Sequence, residues 1–359
     1  VSFTVSPSSG YTSELETNTC GGILSGNTYT ISNITSTKTC SIAFKKKEYP
    51  LFYTKLLADK SSRPGARTGF SSVLTVDNTK KLYTGTENGT TVYYFAGNAL
   101  DNWVWFGGFY WRIIRTNADG GVRLLYHGTS ASSTEAYIGA SAFNSTSSDP
   151  MYAGYMYGTS GSLSSNRTNT SGIKTVIDNW YENNLQTQYG KYLSTSAIYC
   201  SDRNVSGTYS LYSSFSYAAS TRRNSPSYDC TNTSDKFTVD SSAGNGKLDY
   251  PIGLMTSDEV IFAGGLWGTK ATTWYYYNSA SGSSTGTNWW WLLSPGFWNG
   301  SVGVYSMYGS SNAGSLTSDA VNKKGAVRPV ISLKSCVKTS GGDGSATNPY
   351  TILETTSGC

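Results

Sequence analysis

Side chains that could do covalent or acid–base chemistry are few in this 359-residue chain. It has one histidine, His127, and six cysteines, at positions 20, 40, 200, 230, 336 and 359. A single imidazole with no partner marked in the sequence supplies neither a Ser-His-Asp nor a Cys-His set. His127 ends a strand-like run (Tyr126-His127-Gly128), so it reads as a partly exposed structural residue. The carboxylates Asp178, Glu182, Asp258 and Glu259 fall on helical segments, where they suit solvent faces or first turns, and no pair is marked as acid and base. Without a CxxC motif, and with one histidine, a zinc site is not expected. No catalytic residue, metal or cofactor is assigned.

The cysteines cluster in pairs along the chain, which predicts three local disulfides: Cys20 with Cys40, Cys200 with Cys230, and Cys336 with Cys359. Six cysteines admit many other connectivities, and buried free thiols are the alternative. If the local pairs form, each closes a loop of roughly 20–30 residues, worth about 3 kcal/mol in the chain-entropy account. Such a chain belongs in an oxidising compartment, outside a cytoplasm.

The other conspicuous group is aromatic and amide-rich. Between Trp274 and Val321 the residues are dominated by Tyr, Trp, Ser, Gly and Asn, and Asp319 is the sole charge. Tyr and Trp give large, rigid contact area at small entropic cost, while Ser, Gly and Asn adapt their hydrogen bonding. The ligand-contacting candidates are Tyr275, Tyr277, Phe297, Trp298, Asn299, Ser301, Tyr305, Tyr308, Ser310 and Asn312. The run Trp289-Trp290-Trp291 reads as a core strand rather than a sugar platform.

Composition sets the frame for these groups. Ser (56) and Thr (44) carry the polarity, charged residues make up only 14%, and net charge is +5. Ten Trp and twelve Phe argue for a folded chain, because disorder goes with high charge and few aromatics. Lys and Arg are scattered, with one cluster at Lys45-Lys46-Lys47, so no basic stripe for nucleic acid is present. No apolar run reaches membrane-spanning length, and Val1–Thr4 has no signal-peptide pattern. Because Val1 begins inside a strand-like run, the chain reads as a fragment or processed form. Eight N-x-S/T sequons occur, about the number this composition produces by chance, so they carry no weight.

The elements that must position the candidates are mostly short strands. Runs at Val1–Val5, Thr28–Ile31 and Cys40–Phe44 form a small antiparallel unit. Residues 46–84 read as linker and first packed turn, with Leu51–Leu57 helical. Thr91–Phe95, Trp103–Phe106, Tyr110–Arg115 and Gly121–Tyr126 read as a meander whose turns are Gly107-Gly108 and Asn117-Ala118-Asp119-Gly120. A helix over Ser171–Leu185 has apolar positions 173, 176, 177, 180 and 185, with Ser171 as its cap. A shorter one over Thr256–Ala263 has Thr256 and Glu259 placed as a capping box. Long Ser/Thr/Tyr/Asn loops at 140–170 and 201–247 exceed what a compact domain carries without purpose.

Two resemblances follow. "FTVSPSSGY", then Cys20, then "SGNTYTISNITSTKTCSIAFK" resembles the β-repeat modules of Gram-positive surface proteins over residues 1–45. Such modules begin with one more strand, which implies either clipping or donation of that strand by a neighbour. The ordered segments "DNWVWFGGFYWRIIRTNADGGVRLLYHG", "IKTVIDNWYENNL", "YLSTSAIYCSDR", "DYPIGLMTSDEVIFAGG", "NWWWLLSPG" and "GAVRPVISL" resemble the C-type-lectin-fold domains of secreted bacterial proteins. That group includes the variable proteins of diversity-generating retroelements and shares its fold with formylglycine-generating enzymes. The likeness covers about residues 85–335, and "GDGSATNPYTIL" in the closing segment 336–359 resembles the tail of such proteins.

The resemblance implies an α+β, lectin-like head with about two helices, preceded by a small all-β repeat module. It also implies a loop-rich ligand face that adenine-directed mutagenesis could vary. Phe297, Asn299, Ser301, Tyr305, Ser306, Tyr308, Ser310, Ser311 and Asn312 fit the residue set such mutagenesis can produce; Trp298 and Met307 do not and would be scaffold. A Tyr/Ser-rich surface without diversification is the open alternative. The triplets of calcium-dependent lectins are absent, since Trp298-Asn299-Gly300 lacks a carboxylate. The sulfatase-modifying activity, which resides in cysteines near the C-terminal core of those relatives, is not carried over, because Cys336 lies beyond the "RPVISL" strand and has Cys359 as its expected partner. The expectation is a non-enzymatic, extracellular or cell-surface bacterial module that binds a protein or glycan. The alternative is a structural subunit of a surface filament, self-associating through its N-terminal β edge.

Overall fold

Alternation of β-branched and aromatic residues with polar ones, punctuated by glycine turns, yields an α+β chain in which strands predominate over helices. In the computed structural model, residues 1–74, 76–132, 136–161, 168–271, 289–308 and 312–359 are described. Tyr275, Tyr277, Ser310 and Ser311 lie outside them. The chain forms two compact units, Val1–Pro50 and Leu51–Cys359.

In the first unit, Ser2–Thr4 and Ile23–Ser25 flank Thr28–Thr30 in an antiparallel sheet. Tyr11–Asn18 pairs with Ile42–Lys46. Tyr29 and Ile31 are its buried hydrophobic residues. The Tyr29 hydroxyl bonds the Asn18 side chain and accepts the Gly22 N–H at 2.9 Å. The Cys20–Cys40 disulfide spans this unit with Cα atoms 5.3 Å apart.

The second unit begins with a helix at Phe52–Asp59, whose Phe52 and Leu56 are buried in the main core. The last three strands of the expected meander pair in sequence order, whereas Thr90–Tyr94 joins Tyr83–Glu87 and Phe109–Thr116 rather than Trp103–Phe106. Trp103–Phe106, Phe109–Thr116 and Val122–Gly128 pair antiparallel in order. Gly107 and Gly108 both adopt positive φ, the conformation that a two-residue hairpin turn between right-twisted strands requires. Val330–Leu333 and Ile252–Gly253 extend this sheet on one side. On the other, the closing segment adds Tyr350–Ile352, parallel to Trp103–Phe106, and then Thr339–Gly341.

Both helices expected from capping and period are present. Ser171 Oγ accepts the Lys174 N–H at the start of Gly172–Tyr181. Ile173, Ile177 and Tyr181 are buried, while Trp180 packs against Phe109, Trp111 and Tyr126 on the meander. Thr256 and Glu259 form the reciprocal capping box of Ser257–Phe262.

A second sheet is centred on Trp289–Trp298. It pairs with Phe215–Tyr217, Val302–Tyr308 and Lys324–Ala326, and Leu316–Ala320 lies beyond Val302–Tyr308. Trp290 and Trp291 are buried, in keeping with a core strand. The three disulfides pair as the clustering of the cysteines predicts, and no free cysteine is present. Among the described residues, no helix is long and apolar enough to cross a membrane.

One sequence expectation is corrected here. His127 is not partly exposed: it is 1% exposed and edge-on to Trp103, with ring centroids 4.4 Å apart. The strand Val122–Gly128 lies inside its sheet and is buried along its whole length, so no solvent-facing position exists for the imidazole. Asp258 and Glu259 occupy the first turn of their helix, one of the two placements expected for them, but are only 4% and 3% exposed. Their helix is buried on every side, and its carboxylates meet arginines instead of water.

Candidate functional site

The candidate ligand residues that are described fall on or beside the hairpin of Trp289–Trp298 and Val302–Tyr308. Side chains of a strand alternate between faces, so this hairpin would expose half its residues if one face were bare. It is flanked by Phe215–Tyr217 and Leu316–Ala320 and covered on both faces. Tyr305 is therefore 0% exposed and Trp298 4%. Neither ring reaches a ligand. Phe297, Ser301 and Tyr308 are half-buried, and Asn299 and Asn312 are exposed. Asn299 and Gly300 form the tip of the hairpin, with Gly300 at φ 92°.

Phe297 and Tyr305 share a face. Phe297 pairs with Gly303, two residues from Tyr305, and its ring lies where a side chain at position 303 would begin. Glycine at 303 is what allows the Phe297 ring to lie flat on the sheet.

Over Tyr305 lies a pair that sequence reasoning missed. The Arg223 guanidinium stacks on the Trp267 ring, 3.5 Å from its centroid, and donates from Nε to the Tyr305 hydroxyl at 3.0 Å. Trp267 meets Tyr305 edge-on at 5.5 Å. The Tyr305 hydroxyl donates to Ser220 Oγ at 3.1 Å, which donates to the Gly296 carbonyl at 2.9 Å. Arg223 and Trp267 are themselves half-buried and thus form the outer layer above the buried tyrosine. The signals for them were a double arginine in a Ser/Asn-rich loop and a tryptophan between glycines in "GGLWG". Neither has a period or spacing that marks a site.

The neighbouring arginine explains the loop's position. Arg222 turns inward, bonding Asp258 at 3.0 Å and Asp202 at 3.1 Å. Asp258 also accepts the Ser227 N–H at 3.0 Å. Burial raises the Asp258 pKa, and Arg222 offsets this only in part. With Arg222 held inside, the next residue must project outward, toward Trp267.

Behind Asp258 lies a buried ionic cluster. Arg115 reaches Glu87 at 2.7 Å and Glu259 at 3.2 Å, and Arg123 lies 2.6 Å from Glu259. Arg123 Nε and Glu259 are in ionic contact without hydrogen-bond alignment. Burial works against the charged form of Arg115, yet Glu87 and Glu259 outweigh it and hold its pKa above the ordinary arginine value. Burial pushes Glu87 up, but Arg115 and the Ala118 N–H overcome it, so the Glu87 carboxyl sits below its usual range. The cavity among these groups measures about 20 Å³, room for a single water. A reacting substrate does not fit there, and the cluster ties the capping-box helix to the meander.

Among the described residues, no group of three or more His, Cys, Asp or Glu is placed to hold a metal ion. The sequence matches no protein-family model, no curated protein and no solved structure.

Proposed function

We propose that this chain is an extracellular recognition module whose second unit is a lectin-like head. The ordered segments quoted above motivate the lectin-like reading, and three disulfides fit an oxidising exterior. The observation that carries the proposal is the surface built over Tyr305. There Arg223, Trp267 and Phe297 lie on one face of the hairpin, with Asn299 at its tip. Rigid half-exposed aromatics beside adaptable Asn and Ser side chains are the chemistry of a paratope, and the partner is a protein or glycan on a cell or mucosal surface. Variation of the surrounding residues, if a retroelement supplies it, would change the rim around this fixed pair.

The test is binding of the purified chain to cells and arrayed surface ligands. Trp267→Ala and Phe297→Ala, shown to be folded by thermal unfolding, should each weaken binding about tenfold or more, the loss typical of a contact hot spot. Unchanged binding of both variants would sink the proposal.

A second reading, assembly into a filament or layer, rests on the first unit. Ser2–Thr4 pairs on one side only, and Val1, Phe3 and Ile23 are exposed, which is the profile of an edge open to another strand. A monomer at high concentration in light scattering would remove it.

A further inference from the structure

We infer that Arg223 is the anion-reading residue of this face, and that the ligand it serves is a glycan bearing a carboxylate. The inference rests on the recognition reading above and names the ligand class of that site. Arg223 spends Nε on Tyr305 and one planar face on Trp267. Neither Nη atom meets an acceptor among the described residues. The carboxylates Asp202 and Asp258 are both engaged by the adjacent arginine, Arg222. An unneutralised guanidinium is thus held at a half-buried position with both Nη atoms left over. Its orientation is fixed on one edge by the Tyr305–Ser220–Gly296 chain of hydrogen bonds. A fork held rigid in this way favours a planar carboxylate, which it can engage with two parallel hydrogen bonds.

The rest of the face argues for a sugar rather than a peptide. Phe297 offers a ring lying flat on Gly303, suited to the apolar C–H face of a pyranose. Asn299 and Ser301 at the hairpin tip offer an amide and a hydroxyl to sugar hydroxyls. An extended peptide would seek a free strand edge. Trp289–Trp298 has none along Phe297 and Trp298, since Phe215–Tyr217 and Val302–Tyr308 occupy both sides.

The experiment presents the full chain with immobilised sialyllactose and a hyaluronan hexasaccharide, each beside its neutral counterpart, lactose and carboxyl-reduced hyaluronan. A polyglutamate peptide is included. At least one carboxylated glycan should bind at least about tenfold more tightly than its neutral form, and Arg223→Ala should remove about that factor, the worth of a charge-assisted hydrogen bond. Arg223→Lys keeps charge and stem but not the fork, and should recover only part of the affinity. Which of the two acids binds distinguishes a sialic from a uronic acid. Equal binding to acidic and neutral forms, preference for polyglutamate, binding to no carboxylated glycan, or an Arg223→Lys variant indistinguishable from wild type would each overturn the inference. The recognition reading fails separately. If Trp267→Ala and Phe297→Ala abolish binding to a neutral ligand that Arg223→Ala leaves intact, the face stands and the anion assignment falls.

Discussion

Arg223 donates from Nε to the phenolic oxygen of Tyr305 at 3.0 Å, which makes a wholly buried tyrosine the support for a surface cation. The Tyr305 hydroxyl is acceptor to Arg223 and donor to Ser220, so both of its hydrogen-bonding roles are filled within the fold. Tyr305→Phe removes both bonds and keeps the ring. It should cost about 1–3 kcal/mol, because Ser220 and Arg223 each lose a partner, and it should weaken ligand binding by freeing Arg223. Urea unfolding with a binding titration checks both effects; an unchanged midpoint would contradict the hydrogen-bond chain.

Gly303→Ala tests the aromatic part of the same face. A methyl group there would fall within the Phe297 ring. The ring must leave its place on the sheet, at a cost of about 1–3 kcal/mol for an overpacked site. The fold should survive while affinity falls, and retention of both stability and binding would show that Phe297 does not lie on Gly303.

Glu259 joins two arginines and caps its own helix. Glu259→Gln leaves Arg123 and part of Arg115 without an opposite charge inside the protein. Breaking a buried pair in this way costs about 3–5 kcal/mol. Chemical denaturation of the variant should show a loss of that order, and a loss below about 1 kcal/mol would mean the cluster is hydrated in solution.

His127 makes stability depend on pH. Burial, followed by the nearby Arg112 and Arg328, holds its pKa well below the ordinary histidine value. The folded protein therefore keeps the imidazole neutral, while the unfolded chain takes up a proton below about pH 6.5. Its contribution is complete above that pH and is lost as pH falls toward the folded pKa, at a limiting rate of about 1.4 kcal/mol per pH unit. Wild type should lose stability relative to His127→Gln between pH 7 and pH 5. Parallel stability profiles for the two proteins would refute the assignment.

The Val1–Pro50 unit buries only Tyr29 and Ile31 among its hydrophobic residues, too small a core for about 50 residues to fold without a covalent staple. A Cys20→Ser/Cys40→Ser double variant forfeits about 3 kcal/mol of loop closure. Limited proteolysis should then cleave within residues 1–50 and leave Leu51–Cys359 intact. Equal resistance of the two units would show that the small core suffices.

Local features were legible in the sequence because their causes are local. The caps at Ser171 and Thr256, the Gly107-Gly108 hairpin and the period-two strands follow from residue type and spacing within a few positions. The disulfides were legible as well, since each joins cysteines that are neighbours along the chain. Exposure was not legible. The Tyr/Trp-rich stretch looked like a surface, yet Tyr305 and Trp298 are buried, Tyr305 beneath Arg223 and Trp267 from distant parts of the chain.

The sequence by itself therefore determined an α+β chain of short strands, its helix starts, its staples and the segment in which aromatic residues concentrate. Only the tertiary structure decided which side chains of that segment meet solvent, and which distant residues stand over them. Arg223 reaches Tyr305 across 82 positions of sequence. That contact depends on Arg222 turning inward to Asp202 and Asp258, and no periodicity records such a choice. Burial and charge pairing are sums over neighbours from many parts of the chain, so the side chains that make the face could be named only once the strands were in register.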